Sequence, residues 1–493
     1  MNIIKNNKWI TALVLCGIAS FFGGCEKFLD QKPGNSLTRE DFFKTEADAN
    51  AAIIGVYDAL QLNVDEFLNW GESRADLVTA VTPTGTDATA ITNALNLTDL
   101  YDHLFDITKP VLTWDHVYLM IARANTVIEA VPEIPSLDQR FTQQESDAIV
   151  GEALFLRALG YFYLVKTFDE VPLMLEAPAN DEVDYRLPKS SASTILDQIE
   201  ADLILAEKMT NADYTSNDKI RGRVTKGAVN ALQTDVFLWR AKYAEAAAAA
   251  KKVIDNNALY SLMTAENWFN MFGQKNSRES IFEVQFDFRL NENNSLKGVA
   301  GSFELNNTLY TIFTQENDLV RGIKNTFVDR GNGRSFWKYH GLNNQDIGRP
   351  TNDPNFIVYR LADVILMRAE ALAHLGVAER NEALVLINQI RVRAGLDPFD
   401  DVIDPDTGFL VDVILNERAM ELAMEGKRWF DLLRVAKNDG RPEVLINKVL
   451  LSRPVGDRKS IRARIIDPRG WYLPISQNEL NKNPNLVQTS YYR

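Results

Sequence analysis

Three carboxylates recur at every fourth position in one segment of the chain: Glu417, Glu421 and Glu425. On a helix this spacing places them on one face, where they repel each other unless something compensates. Paired carboxylates can act as the acid and nucleophile of a glycosidase, but those groups normally face each other across a cleft from separate elements. Arginines are frequent in the same segment and in the helices before it: Arg360, Arg391, Arg393, Arg418, Arg428 and Arg434. We therefore predict a partly buried network of Glu and Arg that joins helix to helix.

Familiar patterns of catalytic or metal-binding residues are missing from the sequence. It contains no Gly-x-Ser-x-Gly, phosphate-loop or His-Glu-x-x-His motif. Residues 404–408 begin like a calcium loop, but Leu415 stands where a bidentate Glu would close the site, so we predict a turn. The four histidines are scattered without ligand spacing and are interpreted as packing residues: His103, His116, His340 and His374. The sequence predicts a protein that is not an enzyme and that has no metal or cofactor.

Aromatic residues outside helical apolar stripes are the best candidates for a binding site. Exposed rings stack on the apolar faces of sugars, while neighbouring amides, carboxylates and guanidinium groups bind hydroxyls. Any single ring can instead close over a loop hinge, so the prediction applies to the group as a whole. The candidates lie in irregular stretches next to Asn, Asp, Arg and Gly: Trp70, Tyr101, Phe288, Tyr310, Trp337 and Tyr339.

The first thirty residues have the features of an export signal. Lys5 and Lys8 precede an apolar run from Trp9 to Phe22, which is too short for a membrane span but typical of a secretory signal. Gly23-Gly24-Cys25 resembles a bacterial lipobox, in which the cysteine is diacylated and becomes the first mature residue. We predict a lipoprotein signal peptide at 1–24, a tether at 25–37 and anchoring through Cys25. An ordinary signal peptide followed by an incidental cysteine is the alternative.

The composition indicates a globular chain, with 46% hydrophobic and 24% charged residues. Its formal charge of −14 argues against binding to phosphate groups, so nucleic acid is not an expected partner. Cys16 lies in the apolar run, which leaves Cys25 alone in the mature protein and rules out an intrachain disulfide. Later apolar runs are shorter than the roughly 20 residues of a membrane span, so the lipid is the expected membrane contact.

Apolar periodicity predicts a mostly helical protein. Thr38 is expected to cap a helix that reaches Leu60, and residues 79–100 are interpreted as a loop. Residues 262–354 are irregular, with one alternating segment, Ser280 to Phe288, that predicts a strand. Helices are predicted at 113–131, 143–168, 191–209, 224–241, 243–256, 356–375, 379–394 and 410–436.

Two stretches have the features of helical repeats of about 34 residues, in which paired helices pack through small residues. The first runs from Val229 to Ile254 and the second from Tyr359 to Ile390. In this interpretation the helices are the scaffold, and the irregular inserts are where binding surfaces are expected.

Five segments, in order along nearly the whole chain, carry a resemblance to a known family: residues 25–30 (CEKFLD); 151–162 with 171–173; 359–371 with 388–396; 415–434; and 471–479 with 483–486. On these segments the chain resembles the SusD/RagB family of outer-membrane nutrient-binding lipoproteins of Bacteroidetes. The resemblance implies an all-α fold, a tetratricopeptide-like helical repeat scaffold with an irregular, partly β insert. It implies a single domain at 38–493, with the scaffold at 38–261 and 355–493 and the insert at 262–354.

The resemblance also implies a function in nutrient uptake. Such a protein faces the cell exterior, captures ligand and delivers it to a SusC-like TonB-dependent barrel, over which it acts as a lid. Most relatives bind oligosaccharides or polysaccharides and the RagB branch delivers peptides, so a glycan-binding lipoprotein is expected and a peptide-capturing lid is the alternative. Ligand contacts in the family come from loops that correspond to residues 63–105 and 285–345. Residues 72–76 resemble a family stretch at the edge of the site, which adds Arg74 and Asp76 to the candidates.

Overall fold

Helices that pack side by side form most of the protein in the computed structural model, which describes residues 42–81, 88–178, 185–331 and 333–493. The predicted signal peptide, the tether and Cys25 lie outside the described residues. The helices before the insert are α1 (Glu46–Gln61), α2 (Val64–Glu72), α3 (Ala88–Tyr101), α4 (Asp115–Ala130), α5 (Ile134–Leu137), α6 (Gln143–Phe168), α7 (Ala192–Met209), α8 (Asn217–Gly222), α9 (Lys226–Trp239) and α10 (Tyr243–Ile254).

The later helices include three short ones within the insert. They are α11 (Asn270–Gly273), α12 (Leu296–Gly301), α13 (Asn307–Gln315), α14 (Leu361–Ala373), α15 (Val377–Arg393), α16 (Thr407–Leu422), α17 (Arg428–Asn438), α18 (Pro442–Leu451), α19 (Arg458–Ile465) and α20 (Gln477–Lys482). The strands are β1 (Val78–Ala80), β2 (Val171–Pro172), β3 (Lys189–Ser190), β4 (Ser280–Val284), β5 (Phe303–Leu305), β6 (Phe327–Asp329), β7 (Arg334–Phe336) and β8 (Phe356–Arg360).

Helix α6 is the central helix of the first half and packs against α4 and α7. It begins with a capping box, in which the side chains of Thr142 and Glu145 each accept a hydrogen bond from the other residue's backbone N–H. Helix α6 has the length and apolarity of a membrane span, and its most apolar stretch is buried inside the protein. Apolar residues on all sides of α6 are therefore explained by neighbouring helices that surround it.

The two predicted helical repeats are present and lie next to each other. Helices α9 and α10 form one pair and α14 and α15 form the next, and α10 packs directly on α14. Ala246, Ala249 and Ala250 are buried on α10, where small side chains allow close approach. Residues far apart in the sequence thus continue one helical array, and the chain between α10 and β8 forms an insert within it.

Two antiparallel sheets hold the insert in place. Strand β4 pairs with β8, with Ser280 opposite Arg360, and β8 leads directly into α14. The second sheet has the order β1-β5-β7-β6, so the segment after α2 supplies one strand, with Val78 opposite Leu305. Because β1 comes from the first half of the chain, this sheet joins the first loop region to the insert.

Several sequence predictions need correction. Residues 79–100 are not one loop, because β1 and α3 occupy parts of that stretch. The helix predicted at 356–375 starts as strand β8, since β4 supplies hydrogen-bonding partners. The helix predicted at 410–436 is two helices, α16 and α17, because Met424 and Gly426 adopt positive φ angles of 63° and 74° between them. The first helix starts after its N-cap Thr45, and Thr38 lies outside the described residues.

Candidate functional site

The predicted network of Glu and Arg exists, and Glu421 lies at its centre. Oε1 of Glu421 accepts hydrogen bonds from Arg360 Nη1 and Arg393 Nη2, both at 2.5 Å, and from Trp268 Nε1 at 3.2 Å. Its Oε2 accepts one from Arg321 Nη1 at 3.0 Å. Burial alone would raise the pKa of Glu421, but Arg393, Arg360 and Arg321 hold it well below its usual value. This carboxylate is fully buried and paired, so its role is structural.

The other predicted members of the network also have buried acidic partners. Glu417 and Glu425 are at most 2% exposed, like Glu421. The ion pairs are Arg391 with Glu417, Arg418 with Asp363 and Asp431, Arg428 with Asp76, and Arg434 with Glu370. The structure therefore confirms the helix-to-helix network.

The network also fastens the insert to the helical scaffold, a feature that the sequence analysis missed. Arg321 and Lys338 belong to the insert and are fully buried. Arg321 Nη1 lies 2.6 Å from Glu417 Oε1, and Lys338 Nζ lies 2.6 Å from Glu425 Oε1. Buried charges persist in proteins only when they are paired, so these contacts fix the position of the insert.

Arg74 and Asp76, predicted at the edge of a binding site, lie in a buried contact with the C-terminal half of the chain. Asp76 forms a bidentate pair with Arg428, with distances of 2.6 and 2.8 Å. The guanidinium of Arg74 lies 4.3 Å from the centre of the Trp429 ring and donates to the carbonyl of Trp471 at 2.8 Å. Both residues are at most 1% exposed. They position the segment after α2, and no face of either is open to a ligand in this conformation.

Four of the six candidate aromatic rings are also buried. Trp70, Tyr101, Trp337 and Tyr339 are at most 5% exposed. Trp337 belongs to the hydrophobic cluster inside the insert, and the guanidinium of Arg453 lies 3.5 Å from the ring centre of Tyr101. Rings enclosed in this way have no free face for stacking on a sugar, so in this structure they act in packing.

The other two candidate rings are more accessible. Phe288 is 49% exposed, in the turn that follows β4. Tyr310 is half-buried on α13, and the guanidinium of Arg334 lies 3.6 Å from its ring centre, which covers one face. Among the predicted aromatic residues, Phe288 therefore offers the most open ring.

A half-open cavity of about 550 Å³ lies between α2, the chain from α3 to the start of α4, and α12. These elements fall largely within the two segments from which family ligand contacts were expected. A backbone hydrogen bond from Val81 to Ser302, at 3.0 Å, extends the β1–β5 pairing and positions the end of α12. Polar side chains on its walls include Asp65, Glu66, Asn69, Asn96, Thr113 and Asp115. Apolar contacts come from Leu97, Val111 and Val299.

The cavity is acidic. Burial, and secondarily the charge of Glu66, raise the pKa of Asp65 to about 6. His116 is the one histidine on the cavity wall, and its Nδ1 lies 3.7 Å from Glu66 Oε1. The nearby carboxylate of Glu66 raises the pKa of His116. The side chains can donate hydrogen bonds to hydroxyl groups and accept hydrogen bonds from them. Their net negative charge favours the binding of cations.

The predicted site residues do not line this cavity. Its polar residues lie on helices or at helix ends. In the sequence, a carboxylate or an amide at such a position cannot be distinguished from one on a helix face that is exposed to solvent. Asp65 and Glu66 are adjacent in the first turn of α2, which is a common place for acidic residues. No periodicity or motif marks these positions, so sequence reasoning located the region but not the residues.

The remaining motifs have structural roles. Asp406 caps α16, since its Oδ1 accepts a hydrogen bond from the Phe409 N–H at 2.8 Å, which agrees with the predicted turn. The His374 ring stacks on Tyr243 with a centroid distance of 4.1 Å, and His103 is 3% exposed. The prediction of a packing role is wrong for His116, because this residue lines the cavity.

Comparisons with protein families cover both halves of the chain. Residues 27–238 match a family described as "Starch-binding associating with outer membrane", and residues 265–492 match the SusD family. SusD-like protein P38 of Formosa agariphila is 30% identical over 492 residues, which cover 87% of this chain and 91% of that protein. A SusD-like protein of Bacteroides ovatus is 23% identical and covers 85% of this chain, with 81% of its own length aligned.

Solved structures share the fold, a helical scaffold with a partly β insert. A SusD superfamily protein from Bacteroides vulgatus superimposes with a TM-score of 0.74 at 22% identity, covering 91% of this chain and 100% of that one. A structure named "Laminarin binding SusD-like protein" gives a TM-score of 0.69 at 24% identity, with 91% and 100% covered. The chain belongs to the SusD/RagB family. The predictions of family and of fold class are thus confirmed.

Proposed function

We propose that this protein is a cell-surface glycan-binding lipoprotein that captures oligosaccharide and delivers it to a SusC-like TonB-dependent transporter. The observation that carries the proposal is the half-open cavity of about 550 Å³ between α2, α4 and α12. Its volume falls within the roughly 300–1,000 Å³ of typical ligand sites. The family description that names starch binding and the outer membrane supports a carbohydrate ligand.

The walls of the cavity offer both kinds of contact that a sugar needs. Asn69, Asn96 and Thr113 supply hydrogen-bonding groups for hydroxyls, while Leu97 and Val299 supply apolar surface for the carbon face of a ring. Phe288 and Tyr310 do not line the cavity, and they remain proposed stacking residues outside it, because their rings are the accessible ones among the predicted aromatics. The buried candidates contribute indirectly by holding these elements in place: Trp70, Arg74, Asp76, Tyr101, Trp337 and Tyr339.

The proposed location is the outer membrane, with the protein facing the cell exterior. Residues 1–24 act as signal peptide, Cys25 carries the lipid, residues 25–37 form the tether, and residues 38–493 form a single binding domain. Capture requires no catalytic step, since the ligand leaves unchanged for the transporter. Modest affinity suffices, because enclosure against the barrel raises the effective concentration of the ligand.

A peptide-capturing lid of the same kind of import complex is the alternative. The acidic character of the cavity supports this alternative, because Asp65 and Glu66 can bind a lysine side chain or a peptide amino terminus. In that case backbone hydrogen bonds would replace sugar stacking, and side chains would be accepted loosely.

Isothermal titration calorimetry of the full chain in mild detergent tests the proposal. The titrants are plant, fungal and host oligosaccharides and a mixed peptide digest. Saturable heat with one class of sugar supports the glycan proposal, and heat with peptides alone moves the protein to the alternative. If no titrant gives saturable heat, the proposal that this cavity binds ligand in the isolated chain is overturned. Loss of membrane association in Cys25→Ala tests the anchor separately.

A further inference from the structure

Negative charge predominates on the walls of the cavity. Asp65, Glu66 and Asp115 line it, and no Lys or Arg appears among its described lining residues. His116 is the nearby base, and its Nδ1 lies 3.7 Å from Glu66 Oε1. The neighbouring charge that acts on Asp65 is the like charge of Glu66. One base therefore faces three carboxylates, and Asp65 has no cationic partner in the described part of the chain.

The cavity also holds oxygen atoms that lack hydrogen-bond donors. Within the described chain, Asp65 Oδ1, Glu66 Oε2 and Asn96 Oδ1 are buried without a partner. Asn96 is 7% exposed, so bulk water does not easily satisfy its amide. Most buried polar atoms in proteins are hydrogen-bonded, and an unpaired one costs free energy. His116 Nδ1, on the same wall, is also buried without a partner among the described residues, so three oxygens and one nitrogen are unpaired. A ligand that brings more donors than acceptors would complement this arrangement.

We propose that the cavity binds a glycan carrying a protonated amino group, that is, an amino-sugar oligosaccharide; this inference rests on the proposed glycan-binding function. An ammonium group has three donors and no acceptor, and its charge matches the carboxylates. A uronate or sulfate group has the opposite properties, because it adds negative charge and supplies only acceptors. An N-acetylated sugar has the same ring but lacks the charge.

Calorimetry with three oligosaccharides of equal length provides the test: oligomers of glucosamine, N-acetylglucosamine and galacturonic acid. With the full chain in mild detergent, the glucosamine oligomer should bind about tenfold more tightly than its N-acetylated counterpart, since hydrogen bonds between an ammonium and a carboxylate are stronger than those of a neutral amide. The galacturonate oligomer should show no saturable heat. Added salt should weaken binding of the glucosamine oligomer and leave the N-acetylated oligomer unaffected.

A charge-removing double variant, Asp65→Asn with Glu66→Gln, assigns the preference to the cavity. It should lose the tenfold preference and still bind the N-acetylated oligomer. The matched control is Glu133→Gln with Glu266→Gln, which removes two exposed carboxylates elsewhere and should behave as wild type. A preference that persists in the cavity variant, or that disappears in the control, overturns the assignment to Asp65 and Glu66.

A pH series on the wild-type chain requires no substitution. As pH rises from 5 to 6, the carboxyl of Asp65 begins to ionise, because its pKa is raised to about 6, so the cavity becomes more negative. Glu66 and Asp115 add to the same field. Binding of the glucosamine oligomer should therefore strengthen between pH 5 and pH 6, where the sugar amines stay protonated, and a flat or falling profile in this range contradicts the proposal.

The outcomes separate this inference from the broader proposal. Equal affinity for the glucosamine and N-acetylglucosamine oligomers overturns the amine preference and leaves glycan binding intact. Binding of neutral or acidic oligosaccharides in place of the glucosamine oligomer has the same meaning. Binding of lysine-containing peptides alone, with no response to any sugar, overturns both.

Discussion

Arg360 Nη1 and Glu421 Oε1 lie 2.5 Å apart in the interior, where both side chains are at most 1% exposed. Arg360 ends strand β8, which closes the insert, and Glu421 lies near the end of α16. The same guanidinium also reaches Glu279 at 2.7 Å and Glu425 at 2.8 Å. One arginine thus joins the insert to the scaffold, so the shape of the binding region depends on a charge network away from the cavity.

Replacing Arg360 with Gln should destabilise the protein severely. The change leaves buried carboxylates without their partner, and the loss of one member of a buried ion pair costs about 3–5 kcal/mol. Chemical denaturation measures the free energy of unfolding. Lys251→Gln is the control, because Lys251 forms an exposed pair with Asp255 worth at most about 1 kcal/mol. If both variants lose a similar, small amount of the free energy of unfolding, the network is not a stabilising unit.

Filling the cavity should block ligand binding without unfolding the protein. Gly298 lies on the cavity wall, and a Cβ at this position would meet no atom within 4 Å. In Gly298→Phe the ring would occupy the cavity, so saturable heat in calorimetry should disappear while the melting temperature is retained. Gly55→Phe, on α1, is the matched control because its Cβ is equally unobstructed. Normal binding by Gly298→Phe would place the ligand elsewhere.

Exposed and buried aromatic residues should respond differently to substitution. Phe288→Ala should weaken glycan binding by about tenfold and leave stability nearly unchanged, since burying a Phe side chain is worth about 1.5–3 kcal/mol and this ring is half-exposed. Trp337→Ala should cost about 3–5 kcal/mol of stability, because the ring lies in the core of the insert. Calorimetry and thermal unfolding of the two variants give the comparison. Unchanged affinity in Phe288→Ala would remove this ring from the site.

Asp65 should make stability depend on pH. Its pKa is raised from 3.8 to about 6 in the folded protein, so the folded state binds the proton more tightly than the unfolded chain. The contribution of Asp65 to the free energy of unfolding is therefore greatest below pH 4, and it is lost as pH rises through 6. Asp65→Asn should raise the free energy of unfolding at pH 7 by about 1–2 kcal/mol, a value reduced from the full shift because the side chain is partly exposed.

Denaturation of Asp65→Asn at pH 3 and at pH 7 measures this effect. The two proteins should be nearly equally stable at pH 3, where the carboxyl is largely neutral in both the folded and the unfolded wild type. The exposed Asp213→Asn serves as the control for loss of one charge. An Asp65→Asn variant that is less stable than wild type at pH 7 would mean that the carboxylate is favourably placed in the fold.

The sequence by itself determined the features that depend on near neighbours. Apolar periodicity predicted a helix at residues 113–131, where α4 lies, because a helix repeats its buried face within a few residues. The spacing of Glu417, Glu421 and Glu425 indicated compensation by arginine, since carboxylates on one helix face repel. Family segments spread over the chain then indicated the scaffold, the insert and the region of the ligand site.

Only the tertiary structure decided which side chains face the ligand region. The sequence suggested irregular, exposed stretches around Trp70 and Trp337, but Trp70 lies in α2 and both rings are covered by other elements. Conversely, Asp65, Asn96 and Ser295 come from distant parts of the chain and meet at one cavity. Their meeting depends on the pairing of β1 with β5 and on long-range charge pairs, and neither leaves a local pattern. Burial and proximity are properties of packing between distant segments, which is why residue type and spacing alone did not identify them.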